Sequence, residues 1–159
     1  MKIRYLFQLL ILTAAAAMSG YAQTDINGTW ATGGMSMIGD RNTVTGSVTP
    51  SNGNTQKYQF GGDGRFSFVG YLQSTQYGCT TALFNDKQGK YSIEGSTLTL
   101  TPSKNFWRQT FSCSPASNKE RNYTLERETY DITTKTDEYG KLFICLANEK
   151  GETCYRKEK

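Results

Sequence analysis

The chain has 159 residues, with 18 basic and 14 acidic side chains, and it contains no histidine. The missing imidazole excludes Ser-His-Asp and Cys-His nucleophile systems and removes the side chain best matched to proton transfer near neutral pH. The near balance of charge, with basic residues scattered except for Arg156-Lys157-Glu158-Lys159 at the terminus, argues against a nucleic-acid partner.

The first segment has the pattern of a secretory leader. Lys2 and Arg4 form a positive start, the run over 5–18 is almost wholly apolar, and Gly20-Tyr21-Ala22 offers small residues to signal peptidase. The run is shorter than a membrane span, contains Gln8 and ends at a cleavage site, so cleavage after Ala22 is expected and a stable membrane anchor is not. No cysteine lies beside the cleavage point to take a lipid. Residues 23–159 then form one secreted or periplasmic domain, with 16 basic and 14 acidic side chains once Lys2 and Arg4 are gone. A chain of that length buries about two-thirds of its unfolded surface in a single core.

Beyond the leader, Thr, Tyr, Phe, Ser and Gly dominate short alternating runs broken by turn residues. Candidate strands in chain order are 28–38, 43–49, 57–61, 65–73, 80–84, 90–93, 97–101, 106–113, 122–133, 141–147 and 153–156, of which eight to ten should survive. Residues 50–54 and 114–118 read as surface loops. No stretch of helical length has a 3.6-residue apolar period.

Three hairpins can be tested by asking which side chains share a face. For the segment 58–68, a three-residue loop at Gly62-Asp63-Gly64 sets Phe60 against Phe66 and Tyr58 against Phe68, gathering four rings on one face. For 90–101, a turn at Glu94-Gly95 places Tyr91, Ile93, Leu98 and Leu100 on one face and Ser92, Thr97, Thr99 and Thr101 on the other. For 141–156, a loop over Asn148-Glu149-Lys150-Gly151 brings Cys145 opposite Cys154, within reach of a disulfide.

The four cysteines, Cys79, Cys113, Cys145 and Cys154, are an even number in an exported chain and read as two disulfides. Pairing Cys145 with Cys154 and Cys79 with Cys113 is preferred, with two other connectivities open. Without histidine or a Cys-x-x-Cys spacing, no metal site is expected, and no cofactor.

Consecutive hairpins with one apolar face must close on themselves or meet a second sheet. The expected fold is an all-β, antiparallel up-and-down β-barrel of about eight to ten strands, with a two-sheet β-sandwich as the alternative.

Gly28-Thr29-Trp30, at the start of the first strand, resembles the Gly-x-Trp signature of lipocalins and related calycin barrels. With the meander of hairpins and the phrase Gly89-Lys90-Tyr91-Ser92-Ile93-Glu94-Gly95, the chain looks like the lipocalin-like domains of exported bacterial proteins over most of 24–157. The second lipocalin signature, Thr-Asp-Tyr, survives only as Thr136-Asp137-Glu138-Tyr139 with an insertion, and no helix follows the last strand. The resemblance implies that Trp30 plugs the closed end under an arginine, with Arg156 preferred over Arg127 for that place.

Such a barrel implies a carrier or sensor of a small apolar molecule. Tyr58, Phe60, Phe66, Phe68 and Tyr91 are the expected ligand-lining residues, and Met35 and Met37 are candidates for a pliable rim. The alternative is an exported protein-interaction module, such as an inhibitor of a protease or lysozyme, contacting its partner through Phe106-Trp107-Arg108 or the loop over 114–118. Catalysis by carboxylates such as Asp63, Glu94, Glu126 or Asp131 is not expected. Asp63 and Glu94 fit the turns they occupy, and Glu126 lies with Glu128 on alternate positions of one strand.

Overall fold

The alternating runs become nine antiparallel strands in the computed structural model, which describes residues 25–35, 44 and 52–159. The leader expected over 1–22, Met37 and, except for Val44, the strand expected over 43–49 lie outside the described residues. In order, β1 (Gly28–Met35), β2 (Gly53–Phe60), β3 (Arg65–Gln76), β4 (Cys79–Glu94) and β5 (Thr97–Phe111) each pair with the next. A 3-10 turn (Pro115–Ser117) leads to a short β6 (Lys119–Asn122), and β7 (Glu128–Thr136), β8 (Leu142–Asn148) and β9 (Gly151–Lys157) follow.

Eight of these strands form a ring, in the order β1, β2, β3, β4, β5, β7, β8, β9 and back to β1, while β6 pairs only with β5. The closing seam is short: Trp30 faces Lys157, Ala31 faces Arg156, and the Glu158 N–H donates to the Thr29 carbonyl at 2.8 Å. The seam joins the two outer strands of the meander, although β1 beyond Ala31 and β9 before Arg156 pair on one side only among the described residues.

Period-two alternation decides what fills the ring. Leu98 and Leu100 from β5 and Ile144 from β8 are fully buried, and Tyr58, Phe60, Phe66, Ile132, Leu146 and Tyr155 join them. The β2–β3 register is the expected one, with Tyr58 opposite Phe68, Phe60 opposite Phe66, and Gly64 in the left-handed region at φ 75° to close the loop. In β4–β5 the faces are as expected, but the register is displaced by two residues: Tyr91 faces Leu100 and Ile93 faces Leu98. Gly95 at φ 61° takes the first place of the turn and Ser96 the second, and a slip of two preserves the faces.

Two pairs of expected strands are fused. Segments 80–84 and 90–93 both belong to β4, and segments 97–101 and 106–113 meet in β5, whose regular pairing ends at Phe111. The joint is a bulge, where the pairing shifts between Gln88 and Gly89 on one strand and leaves Ser103 unmatched on the other. Gly89 is required there, because a Cβ would lie 2.2 Å from the Thr101 carbonyl oxygen. Below the bulge, β5 lends its second edge to β7 through Thr97–Leu100; above it, Phe106–Gln109 pairs with β6. The expected strand over 122–133 is consequently interrupted at 123–127, where the chain passes from one edge partner to the other.

Above the bulge, β3, β4, β5 and β6 continue as a four-stranded sheet beyond the ring. The Cys79–Cys113 disulfide ties its tip, and the Cys145–Cys154 disulfide joins directly opposed residues of β8 and β9, so both preferred pairings are present. No helix among the described residues is long and apolar enough to cross a membrane.

Candidate functional site

The two ends of the ring differ in chemistry. At the closed end Trp30 is fully buried, and its indole N–H donates to the Ile26 carbonyl at 2.7 Å. The cation over its ring is Lys157, 5.2 Å from the ring centre, and not the expected Arg156. The register explains the change: Lys157 pairs with Trp30 and shares its face, whereas Arg156 pairs with Ala31 and Phe143 on the opposite face and is exposed.

Three residues expected to line a ligand belong to this filled end. Phe60 and Phe66 are buried among the core residues, and Tyr91 meets Phe60 edge to face at 5.0 Å while its hydroxyl donates to the Gly61 carbonyl at 2.9 Å. They plug the ring, as close packing of a narrow interior favours.

At the open end, the inward-facing positions become polar. The Tyr130 hydroxyl donates to one carboxylate oxygen of Glu128 at 2.9 Å, and the other oxygen of Glu128 binds the Lys87 ammonium. Lys87 also lies 5.6 Å from the centre of the Phe68 ring. The Tyr155 hydroxyl donates to Gln56 Oε1 at 2.9 Å. Burial pushes the Tyr155 hydroxyl up to about 12 and raises those of Tyr58 and Tyr130 well above the ordinary range. Neighbouring tyrosines and Glu128 add to the shift at Tyr58, and Glu128 adds to it at Tyr130. All three phenols therefore remain protonated at neutral pH.

A cavity of about 310 Å³ opens above this floor, lined in part by Tyr58, Phe68, Lys87, Tyr130, Leu146 and Tyr155. A second cavity, of about 270 Å³, shares Gln56 and Phe68 with the first and extends up the projecting sheet past Asn54, Leu72, Leu83 and Trp107. Of the expected ligand-lining residues, Tyr58 and Phe68 thus reach the open end. Met35 ends β1 opposite Gly53, and the description stops at its backbone.

Trp107 lies on a strand and not on the loop expected of a docking anchor. It is half-buried, with the Arg121 guanidinium 5.4 Å from its ring centre and Tyr123 meeting it edge to face at 6.2 Å. The residues that sequence reasoning did not select are Asn54, Gln56, Leu72, Leu83, Asn85 and Lys87. Their one available signal was alternation: positions 54 and 56 continue the face of Tyr58, and 85 and 87 continue the face of Tyr91.

The one cluster of possible metal ligands among the described residues, Cys145, Glu152 and Cys154, has both sulfurs committed to a disulfide. Asp63 serves its turn, with Oδ1 accepting the Arg65 N–H at 3.2 Å. Comparison with known protein families, characterised proteins and solved structures gives no match to this chain.

Proposed function

We propose that this chain is an exported, lipocalin-like binding protein that carries or senses a small molecule with an apolar body, held at the open end of the ring. The carrying observation is the pair of neighbouring cavities that share Gln56 and Phe68 in their linings, with Phe68, Leu72, Leu83 and Trp107 as the apolar wall. Together they approach the size of a small-ligand site, for which a few hundred Å³ is usual. The filled interior below Tyr58 leaves the mouth as the place for a guest. Export is supported by the leader pattern over 1–22 and by two disulfides, which persist in oxidising compartments.

Native mass spectrometry of the protein purified from its own host, with solvent extraction of any adduct, tests this reading. A bound small molecule that is lost on Phe68→Ala is the expected result. A stoichiometric protein partner recovered in its place would overturn it. One observation favours that second reading, of an interaction module: Tyr77 is fully exposed at the tip of the projecting sheet, in a left-handed conformation at φ 51°, two residues from the Cys79 disulfide.

A further inference from the structure

Across four neighbouring strands, one register row on the inward face of the open end reads Gln56, Gly70, Asn85, Trp107. Gly70 stands inside β3, and its φ lies outside the left-handed region, so the backbone there makes no demand for glycine. A Cβ at that position would lie 3.2 Å from the Phe68 ring, which takes the place of a side chain there; the gap beside the row is the second cavity, which Gln56, Phe68, Gly70, Asn85 and Trp107 line together. Glycine within a strand loses backbone entropy and packing, and it marks a place where another group comes close, here the Phe68 ring.

The two amides beside the gap are already oriented by their neighbours. Gln56 Oε1 accepts from Tyr155, which leaves the Gln56 amide N–H groups with no partner among the described residues. Asn85 Nδ2 donates to the Phe106 carbonyl at 2.8 Å and to Asn105 Oδ1 at 3.1 Å, which leaves the Asn85 carbonyl oxygen as a spare acceptor. A donor on one side of the gap and an acceptor on the other match a hydroxyl, which both accepts and donates. Phe68 and Trp107 add aromatic surface for the apolar C–H face of a ring. The Lys87 charge is offset by Glu128, and no charged residue lines the cavity over the row, which suits a neutral guest.

We propose that the Gln56, Gly70, Asn85 and Trp107 row binds a neutral sugar ring, making the small molecule a glycan or a glycosylated compound. The assignment rests on the open end being the binding site. A wholly apolar guest would strip water from both amides without replacing its hydrogen bonds, which binding opposes.

The test uses the labelled full chain, with both disulfides intact, on an array of neutral, sialylated and sulfated glycans. It is accompanied by displacement of a bound neutral fluorescent probe, N-phenyl-1-naphthylamine, by octyl glucoside or by octanol. Wild type is expected to bind a subset of neutral glycans, and octyl glucoside to displace the probe at least tenfold more effectively than octanol. Gly70→Leu, which displaces the Phe68 ring from its place beside the gap, should weaken glycan binding at least tenfold. Gln56→Glu keeps an oxygen for the Tyr155 hydroxyl, removes the amide N–H groups and should weaken it about tenfold, so a folding defect in the first variant does not decide the matter. Octanol displacing the probe as well as octyl glucoside, with no glycan bound, would overturn the sugar assignment and leave small-molecule binding standing. Binding confined to sialylated or sulfated glycans would also overturn it. No response to any probe would overturn both.

Discussion

The contact between Trp30 and Lys157 gives the sharpest test of the closed end. In Trp30→Leu the indole N–H is lost, leaving the Ile26 carbonyl without its donor in a fully buried site, at a cost of about 1–3 kcal/mol. The smaller side chain also leaves unfilled volume, and aromatic truncations in cores cost about 3–5 kcal/mol in all. A total near 3–4 kcal/mol is a large share of the roughly 5–15 kcal/mol that holds a domain together. Lys157→Met keeps much of the stem and drops the charge, and because Lys157 is exposed the loss should be only about 0.5–1 kcal/mol. Urea unfolding followed by far-ultraviolet circular dichroism, with disulfides intact, supplies a double-mutant cycle. The Trp30→Leu and Lys157→Met pair should couple by about 0.5–1 kcal/mol. Arg156→Met, on the opposite face, should change stability by less than about 0.5 kcal/mol and show no coupling. Coupling to Arg156 in place of Lys157, or a Trp30→Leu cost under about 1 kcal/mol, would refute this account of the closed end.

Three further outcomes follow from the same geometry. Loss of the Cys79–Cys113 bridge, which spans 34 residues, should cost about 4 kcal/mol by loop entropy; loss of the Cys145–Cys154 bridge, which spans 9, should cost about 3 kcal/mol plus the packing of buried Cys145. Paired Cys→Ala variants in urea measure both, and a cost under about 1 kcal/mol for either would contradict the entropic estimate. Because Tyr58, Tyr130 and Tyr155 have raised pKa values in the folded state, their contribution is complete below the unfolded value of about 10. It is lost as pH rises through the folded values, about 12 for Tyr155. Urea midpoints should hold to about pH 10 and fall above it, and Tyr155→Phe should lessen the fall; a flat alkaline profile would refute the link. Finally, Lys87→Met strands Glu128 at the mouth and should cost about 3 kcal/mol, the lower end for a buried pair because Glu128 is partly wet. Adding Glu128→Gln should restore most of it, as thermal unfolding would show.

Period two, read locally, determined much of this protein. The three-residue loop at Gly62-Asp63-Gly64 and the opposition of Cys145 and Cys154 were both legible, because a hairpin register depends only on turn chemistry and on which faces are apolar. The same alternation identified Tyr91, Ile93, Leu98 and Leu100 as one face even though the turn lay one position further on and the register shifted by two. Tertiary structure decided what local pattern does not carry. The seam between β1 and β9 joins the two ends of the domain, and its register put Lys157 over Trp30 while turning Arg156 outward. Asn85-Asp86-Lys87-Gln88-Gly89 has the composition of a turn, yet it is the middle of a 16-residue strand, because its inward side faces the open end of the ring. Water reaches that end, so nothing there requires apolar residues. The site is therefore polar in the places where a strand is recognised by being apolar, and only closure of the ring shows that Gln56, Gly70, Asn85 and Trp107 stand in one row.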